Sequence, residues 1–266
     1  MSHSIGTKGT AVILGASGAV GKSLLPLLVS ETSPYSRVYS FARRAHPSPP
    51  APAPGVHFEE IMIDFAALYE GNRAEQDKFD SLSHSFDSIY IAMGTTRAAA
   101  GSTQAFEKID RGYVLTAAKA LSKQGSGATL VYCSSRSSSS SSWVPYLKSK
   151  GLTEEGLAGL YSNTVIMRPG FLKNAGRPES RIFELFLEPL LGAVSALTDS
   201  WQASVSDVAK AMVAAAQKGP ETLKAQRTGE VPGNSFRLQS GASRKGLAIV
   251  QNPGVLALAR DQPAKA

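Results

Sequence analysis

The feature that most constrains this chain is an apolar run that empties into three evenly spaced glycines. Residues 10–14 read Thr-Ala-Val-Ile-Leu, and Gly15, Gly18 and Gly21 then recur at every third position ahead of a helix-like pattern. A strand that turns at once into a helix needs Gly15 for the tight turn. Gly18 lets backbone N–H groups approach a pyrophosphate, and Gly21 lets helix and strand pack closely. Ser17, Ala19 and Val20 complete a loop whose N–H groups and helix dipole face an anion. The same stretch carries a second meaning, because Ala16-x-x-x-x-Gly21-Lys22-Ser23 fits a phosphate loop in which Lys22 reaches the terminal phosphates and Ser23 holds magnesium. Residues 61–64, Ile-Met-Ile-Asp, supply an acidic strand for that reading. Gly15 is surplus to a phosphate loop and required by a dinucleotide turn.

The next strand pattern bears on which dinucleotide. An NAD site expects an acid about 20 residues past the glycine turn, to hold the ribose hydroxyls. No acid occurs between Thr32 and Phe58, and residues 37–42 end instead in Arg43 and Arg44. Guanidinium groups pair with a 2′-phosphate where an acid would repel it, so NADP(H) is the expected cofactor. Asp64 and Phe65, closing the third strand pattern, fall where an adenine ring would lie, with Asp64 as an acceptor for its amino group.

Strand patterns at residues 10–15, 37–42, 56–63, 88–93, 128–133 and 163–168 alternate with helical patterns at 19–30, 103–123 and 145–160. Later helices are expected at 181–197, 205–217 and 253–260. This alternation predicts one α/β domain over residues 1–266: a doubly wound parallel sheet, its core at about 10–217, with a small C-terminal subregion on the substrate side. Pro26 inside the first helix predicts a kink. Five prolines between 46 and 55 predict a surface insertion. Six serines at 137–142 are costly to order and predict a mobile loop. Residues 219–245 read as an irregular basic link to the last helix.

Composition narrows the class. The single cysteine, Cys133, forms no internal disulfide and ends an apolar strand, which predicts a buried, inert thiol. The four histidines stand at no ligand spacing, so no metal is expected. No apolar run nears the roughly 18 residues of a membrane span, and too little chain precedes the first strand for a signal peptide. The formal charge is +7, and residues 217–266, with eight basic and three acidic side chains, carry +5 of it. No aromatic residues alternate with these cations, so nucleic acid is not an expected partner. Attraction to an anionic membrane surface is the alternative to a solvated tail.

Tyr146 and Lys150 lie four apart on a predicted helix that Pro145 can start, so both face one side. They follow the fifth strand, which ends in Ser134 and Ser135 at the sheet's carboxyl edge, where doubly wound folds bind ligands. A phenol is a poor base at neutral pH, and a neighbouring ammonium draws its pKa down. Tyr146 is therefore the candidate proton-transfer group, and Lys150 supplies the field and a bond to the nicotinamide ribose. Ser135, or Ser134 beside it, would donate to a substrate carbonyl.

Taken together, these residues resemble the atypical short-chain dehydrogenase/reductase family, in the branch of the human HIV Tat-interacting oxidoreductase with fungal relatives of the mitochondrial outer membrane. The matching segments are Gly15-Ala-Ser-Gly-Ala-Val-Gly21, Ala42-Arg-Arg44, Met93-Gly-Thr-Thr-Arg97, Ile109-Asp-Arg-Gly-Tyr-Val114, Ser134-Ser135 with Tyr146 and Lys150, Arg168-Pro-Gly170 and Asp199-Ser-Trp201. The resemblance implies a Rossmann fold with bound NADPH. It sets Gly94 and Thr95 beside the cofactor's ribose, with Thr96 in the same binding set, and Pro169, Gly170 and Phe171 near the nicotinamide. It carries Tyr146, Lys150 and Ser135 over as the catalytic group, and implies peripheral association with the cytoplasmic face of the outer membrane.

Three functions stay open on these grounds. One is NADPH-dependent reduction of a carbonyl on a small molecule, apolar if Phe171, Leu172, Phe183, Leu185 and Phe186 line its pocket. The second is a cofactor-binding regulator or membrane-associated interaction protein without turnover. The third is a phosphate-loop phosphotransferase or NTPase.

Overall fold

A computed structural model describes residues 8–82, 85–125, 127–173, 202–238 and 243–261. Its centre is a sheet of seven strands in the order β3-β2-β1-β4-β5-β6-β9. These are β1 (Gly9–Leu14), β2 (Tyr35–Ala42), β3 (His57–Met62), β4 (Ser88–Ile91), β5 (Thr129–Cys133), β6 (Asn163–Arg168) and β9 (Leu247–Gln251). Every neighbouring pair is parallel. Two short strands, β7 (Phe171–Lys173) and β8 (Gln202–Ser204), pair apart from the main sheet. The doubly wound α/β architecture expected from the sequence is the one observed.

Burial on both faces explains why β1 reads as an unbroken apolar run. Ala11 and Ile13 project into one core layer, and Val12 and Leu14 into the other. The first layer packs under α1 (Gly21–Leu28), α8 (Val205–Ala225) and α9 (Asn252–Arg260). In α8, Ala209, Ala211, Ala214 and Ala215 are buried, and their small side chains let the helix pack closely between the sheet and its neighbouring helices. The opposite layer packs under α2 (Phe65–Tyr69), α3 (Arg73–Asp80) and α6 (Val114–Gly125), with Leu157 of α7 (Pro145–Leu160). Between β4 and α6 come α4 (Arg97–Ala100), α5 (Thr103–Glu107) and a wider π-turn at Lys108–Tyr113.

Several expectations need correction. The helical pattern at 103–123 is not one helix but α5, the π-turn and α6. Pro26 stands in the last turn of α1, and the helix stops at Leu28 rather than running on to residue 30. The serine run is not loose. Ser139 N–H donates to Leu147 O at 3.1 Å, and Ser140 Oγ donates to Glu155 Oε1 at 2.6 Å. A Cβ on Gly151 would stand 2.2 Å from Ser139 C and Ser140 N, so the loop lies directly on α7. The basic stretch after residue 219 is also more ordered than expected. α8 continues past a break at Gly219 (φ 70°), and Arg244 clamps the carbonyls of Pro232, Gly233 and Phe236. It leads into β9, a strand the sequence reading missed. The proline-rich insertion is, as expected, a mostly exposed connection without helix or strand. The helix expected at 181–197 and the segment Asp199-Ser-Trp201 lie outside the described residues.

Candidate active site

Strand order reverses between β1 and β4, and the turns leaving these two strands touch. Gly15 has φ 93°, and a Cβ there would sit 2.6 Å from Met93 N. A Cβ on Gly21 would stand 2.0 Å from Gly15 O, and Gly18 N–H donates to that carbonyl at 3.0 Å. The three glycines therefore do what the spacing required: they fold the loop back on itself at the switch point, with Ser17 exposed and Val20 buried beneath. Arg43 and Arg44 are exposed just past the end of β2. The phosphate-loop reading loses its acid. Asp64 ends the outermost strand, with β2 between it and β1, and its Oδ1 caps α2 by accepting from Ala66 N–H and Ala67 N–H at 2.9 and 3.0 Å. Phe65 is buried in the core, so its ring is not open to an adenine.

Behind the glycine turn the residues expected to transfer the proton converge. Tyr146 and Lys150 share one side of α7, and Ser135 follows β5. The Ser135 hydroxyl acts on the Tyr146 phenol and pulls its pKa down, and the Tyr146 ring lies 5.8 Å from that of Phe106. Lys150 is buried, with Nζ 3.0 Å from Asp110 Oδ1 and donating to the Tyr132 hydroxyl at 3.1 Å. Neither Asp110 nor Tyr132 was among the site residues expected from sequence. A signal for Asp110 was present: it falls on the apolar helical stripe Phe106, Val114, Ala117 and Leu121, where a carboxylate has no packing role. Tyr132 carried no such signal, since a tyrosine in a buried strand is ordinary core.

The electrostatics differ from the expectation at one point. Burial raises the Tyr146 pKa, and although Lys150 and Ser135 pull it down, Asp110 opposes them and the net direction is upward. Burial works against the Lys150 ammonium, but Asp110, Tyr132 and Tyr146 outweigh it and hold its pKa well above the ordinary lysine value. Cys133 is half-buried rather than buried as expected, and its thiol is pushed up to about 11 by burial, against a smaller pull from Lys150.

Ser134 does not join this group. Its hydroxyl donates to Glu154 Oε1 at 2.5 Å, and Arg168 binds the same carboxylate through Nε at 3.0 Å and Nη2 at 2.5 Å. Ser134 thus ties β5 to α7 and β6, and Ser135 alone faces Tyr146. Thr96 caps α4, accepting from Ala99 N–H at 3.1 Å. Thr95 N–H donates to Asp110 Oδ1 at 3.4 Å, and Gly94 is open to solvent. Pro169 O accepts from Arg136 N–H at 3.0 Å. Gly170 N–H donates to Asn252 Oδ1 at 2.7 Å, and Phe171 opens β7. Asn252 also donates to Gln202 O at 3.3 Å, so the C-terminal helix fixes the loop after β6.

A glycine cradle at a topological switch point, next to a buried lysine and a tyrosine–serine pair, defines a dinucleotide-binding α/β protein. The chain belongs to the NAD dependent epimerase/dehydratase family, which it matches over residues 11–148. It is 31% identical to "Protein fmp52, mitochondrial" of Aspergillus niger, over 85% of this chain and 92% of that one. Among solved structures it is similar in fold to the Pseudomonas aeruginosa RhlG/NADP active-site complex, at TM-score 0.57 and 16% identity over 94% of this chain and 96% of that one. The Bordetella bronchiseptica enzyme WbmF in complex with NAD+ superposes at TM-score 0.52 and 16% identity, covering 79% of this chain and 70% of that one.

Proposed function

We propose that this protein is an NADPH-dependent reductase of a carbonyl on a small apolar molecule, with Ser135, Tyr146 and Lys150 as its catalytic residues. The observation that carries the reading is the buried Lys150, its Nζ 3.0 Å from Asp110 Oδ1, one helical turn from Tyr146 and with Ser135 acting on that phenol from the end of β5. The residues present fit the cofactor. A Cβ at Gly15 or Gly21 would strike the backbone of Met93 or of Gly15 and break the turn that a pyrophosphate needs, and Arg43 and Arg44 offer exposed guanidinium groups to a 2′-phosphate. An NADP complex of RhlG and an NAD+ complex of WbmF share the fold, so the preference rests on these two arginines rather than on the likeness.

When bound, the reduced nicotinamide supplies a hydride to the carbonyl carbon. Ser135 donates a hydrogen bond to the carbonyl oxygen and orients it. Tyr146, held protonated by its burial, gives its proton to that oxygen as the hydride arrives, and solvent returns one to the phenolate. Two of the three ammonium donors of Lys150 go to Asp110 and Tyr132, which leaves the third for a ribose hydroxyl. The test is Tyr146→Phe assayed with an aromatic ortho-quinone as probe: NADPH binding is expected to persist while turnover falls by about 100-fold. Undiminished turnover would overturn the role.

The mitochondrial name of the Aspergillus niger relative supports an assignment of this chain to that organelle; the cytoplasmic face of the outer membrane is our own proposal. Among the described residues no helix is long and apolar enough to cross a membrane, and peripheral attachment through the basic C-terminal stretch is the form we propose. Sedimentation with anionic vesicles tests it, and no co-sedimentation at low salt would count against it.

A further inference from the structure

We propose that Asp110 is a positioning residue, which fixes the Lys150 ammonium at the edge of the Gly94 turn before any cofactor arrives. The inference rests on the nicotinamide reading and adds to it a residue from a motif, Asp110-Arg-Gly-Tyr, that the proposed reaction leaves unused. Asp110 is wholly buried, and its carboxylate approaches Lys150 Nζ at 3.0 Å through Oδ1. Its Oδ2 is buried with no hydrogen-bond partner. A carboxylate serving only to tie the backbone together would spend both oxygens on N–H donors. This one spends Oδ1 on the ammonium and a long 3.4 Å bond from Thr95 N–H. Gly94 makes room for the pair, since a Cβ there would stand 2.9 Å from Asp110 Oδ1 and 3.2 Å from Lys150 Nζ. The π-turn at Lys108–Tyr113 carries the carboxylate, and such turns recur at functional sites.

Stability alone gives no reason to keep such a pair, because a buried salt bridge is commonly no better than apolar residues of the same volume. The other titratable groups facing the ammonium are Tyr132 from β5, Tyr146 from its own helix, Cys133 at the end of β5 and Glu154 one turn along α7. Of these, Glu154 is bound to Arg168 and the others are neutral at physiological pH, so Asp110 is the counter-charge. Without it the ammonium would be buried against neutral groups, free to swing and easier to deprotonate.

The experiment measures NADPH dissociation constants from neutral to alkaline pH for the wild type, Asp110→Asn, Lys150→Met and the double variant, with urea midpoints for all four. In the wild type the constant is expected to stay flat, since Lys150 remains charged. Asp110→Asn is expected to weaken binding by about tenfold and to add a further loss as pH rises, and Asp110→Asn introduced into Lys150→Met is expected to change nothing. Wild-type affinity in Asp110→Asn at every pH would overturn the proposal. So would an equal loss in the Lys150→Met background, which means action without the lysine. If Asp110→Asn alone does not fold, Lys150→Met against the double variant still decides. If the wild type binds no NADPH, the cofactor reading falls separately. The urea midpoints then judge the pair: non-additive losses support the clamp, and additive losses overturn it.

Discussion

Tyr146 lies beside the ring of Phe106, with Lys150 one turn along α7, and its burial outweighs the pull of that ammonium. The sign has a kinetic consequence. A general acid works in its protonated form, and a raised pKa keeps that form through neutral pH. Carbonyl reduction is therefore expected to be flat with pH around neutrality and to fall only above the free-phenol value of 10. A pH–rate profile of kcat/KM checks this, and a fall near neutrality that vanishes in Tyr146→Phe would contradict it. Ser135, Tyr146 and Lys150 were legible in the sequence because one helix spacing and one strand end hold them. Asp110 and Tyr132 were not, because their roles arise from contacts that only the fold creates. Ser134 was misassigned for a related reason: adjacent residues leaving a strand point to opposite sides, and nothing local says which side holds Glu154.

At the scale of elements, the serine loop rests on α7 one residue beyond Lys150. Gly151→Ala would drive a Cβ into the backbone of Ser139 and Ser140, and overpacking of this kind costs about 1–3 kcal/mol. A lower urea midpoint is expected, with weaker NADPH binding if α7 shifts. Gly127→Ala, where nothing lies within 4 Å, serves as the control and should change little. An unchanged midpoint in Gly151→Ala would show that the loop yields freely. The repeated serines gave no hint of this packing, since their small side chains let the backbone itself make the contact. Among the first six strands, β1, β4, β5 and β6 were readable because apolar residues buried on both faces leave a continuous run, whereas the edge strand β3 alternates exposed and half-buried residues. β9 escaped because Leu247–Gln251 is short and runs straight into a proline-started helix, which masks the change of period. The π-turn escaped because its residues fit an ordinary helix.

The whole molecule joins two turns that are far apart in sequence. Strand order places the glycine turn after β1 against the turn after β4, and β5, α7 and the π-turn then bring Ser135, Tyr146, Lys150 and Asp110 to the same edge. At this scale the doubly wound class was legible from alternation alone, whereas the contribution of the C-terminal stretch was not. Asn252 reaches back to Gly170, and β9 completes the sheet beside β6, so the short stretch after the basic link of 219–245 helps to shape the site. The account stands or falls on the ligand that this arrangement holds. Calorimetry of the wild type, Arg43→Ala and Lys22→Ala with NADPH, NADH and Mg-ATP tests it most directly. The prediction is NADPH binding weakened by about tenfold in Arg43→Ala, with NADH affinity unchanged and Lys22→Ala near wild type. Mg-ATP binding that depends on Lys22, without NADPH binding, would contradict it and leave Tyr146 and Lys150 without a role in reduction.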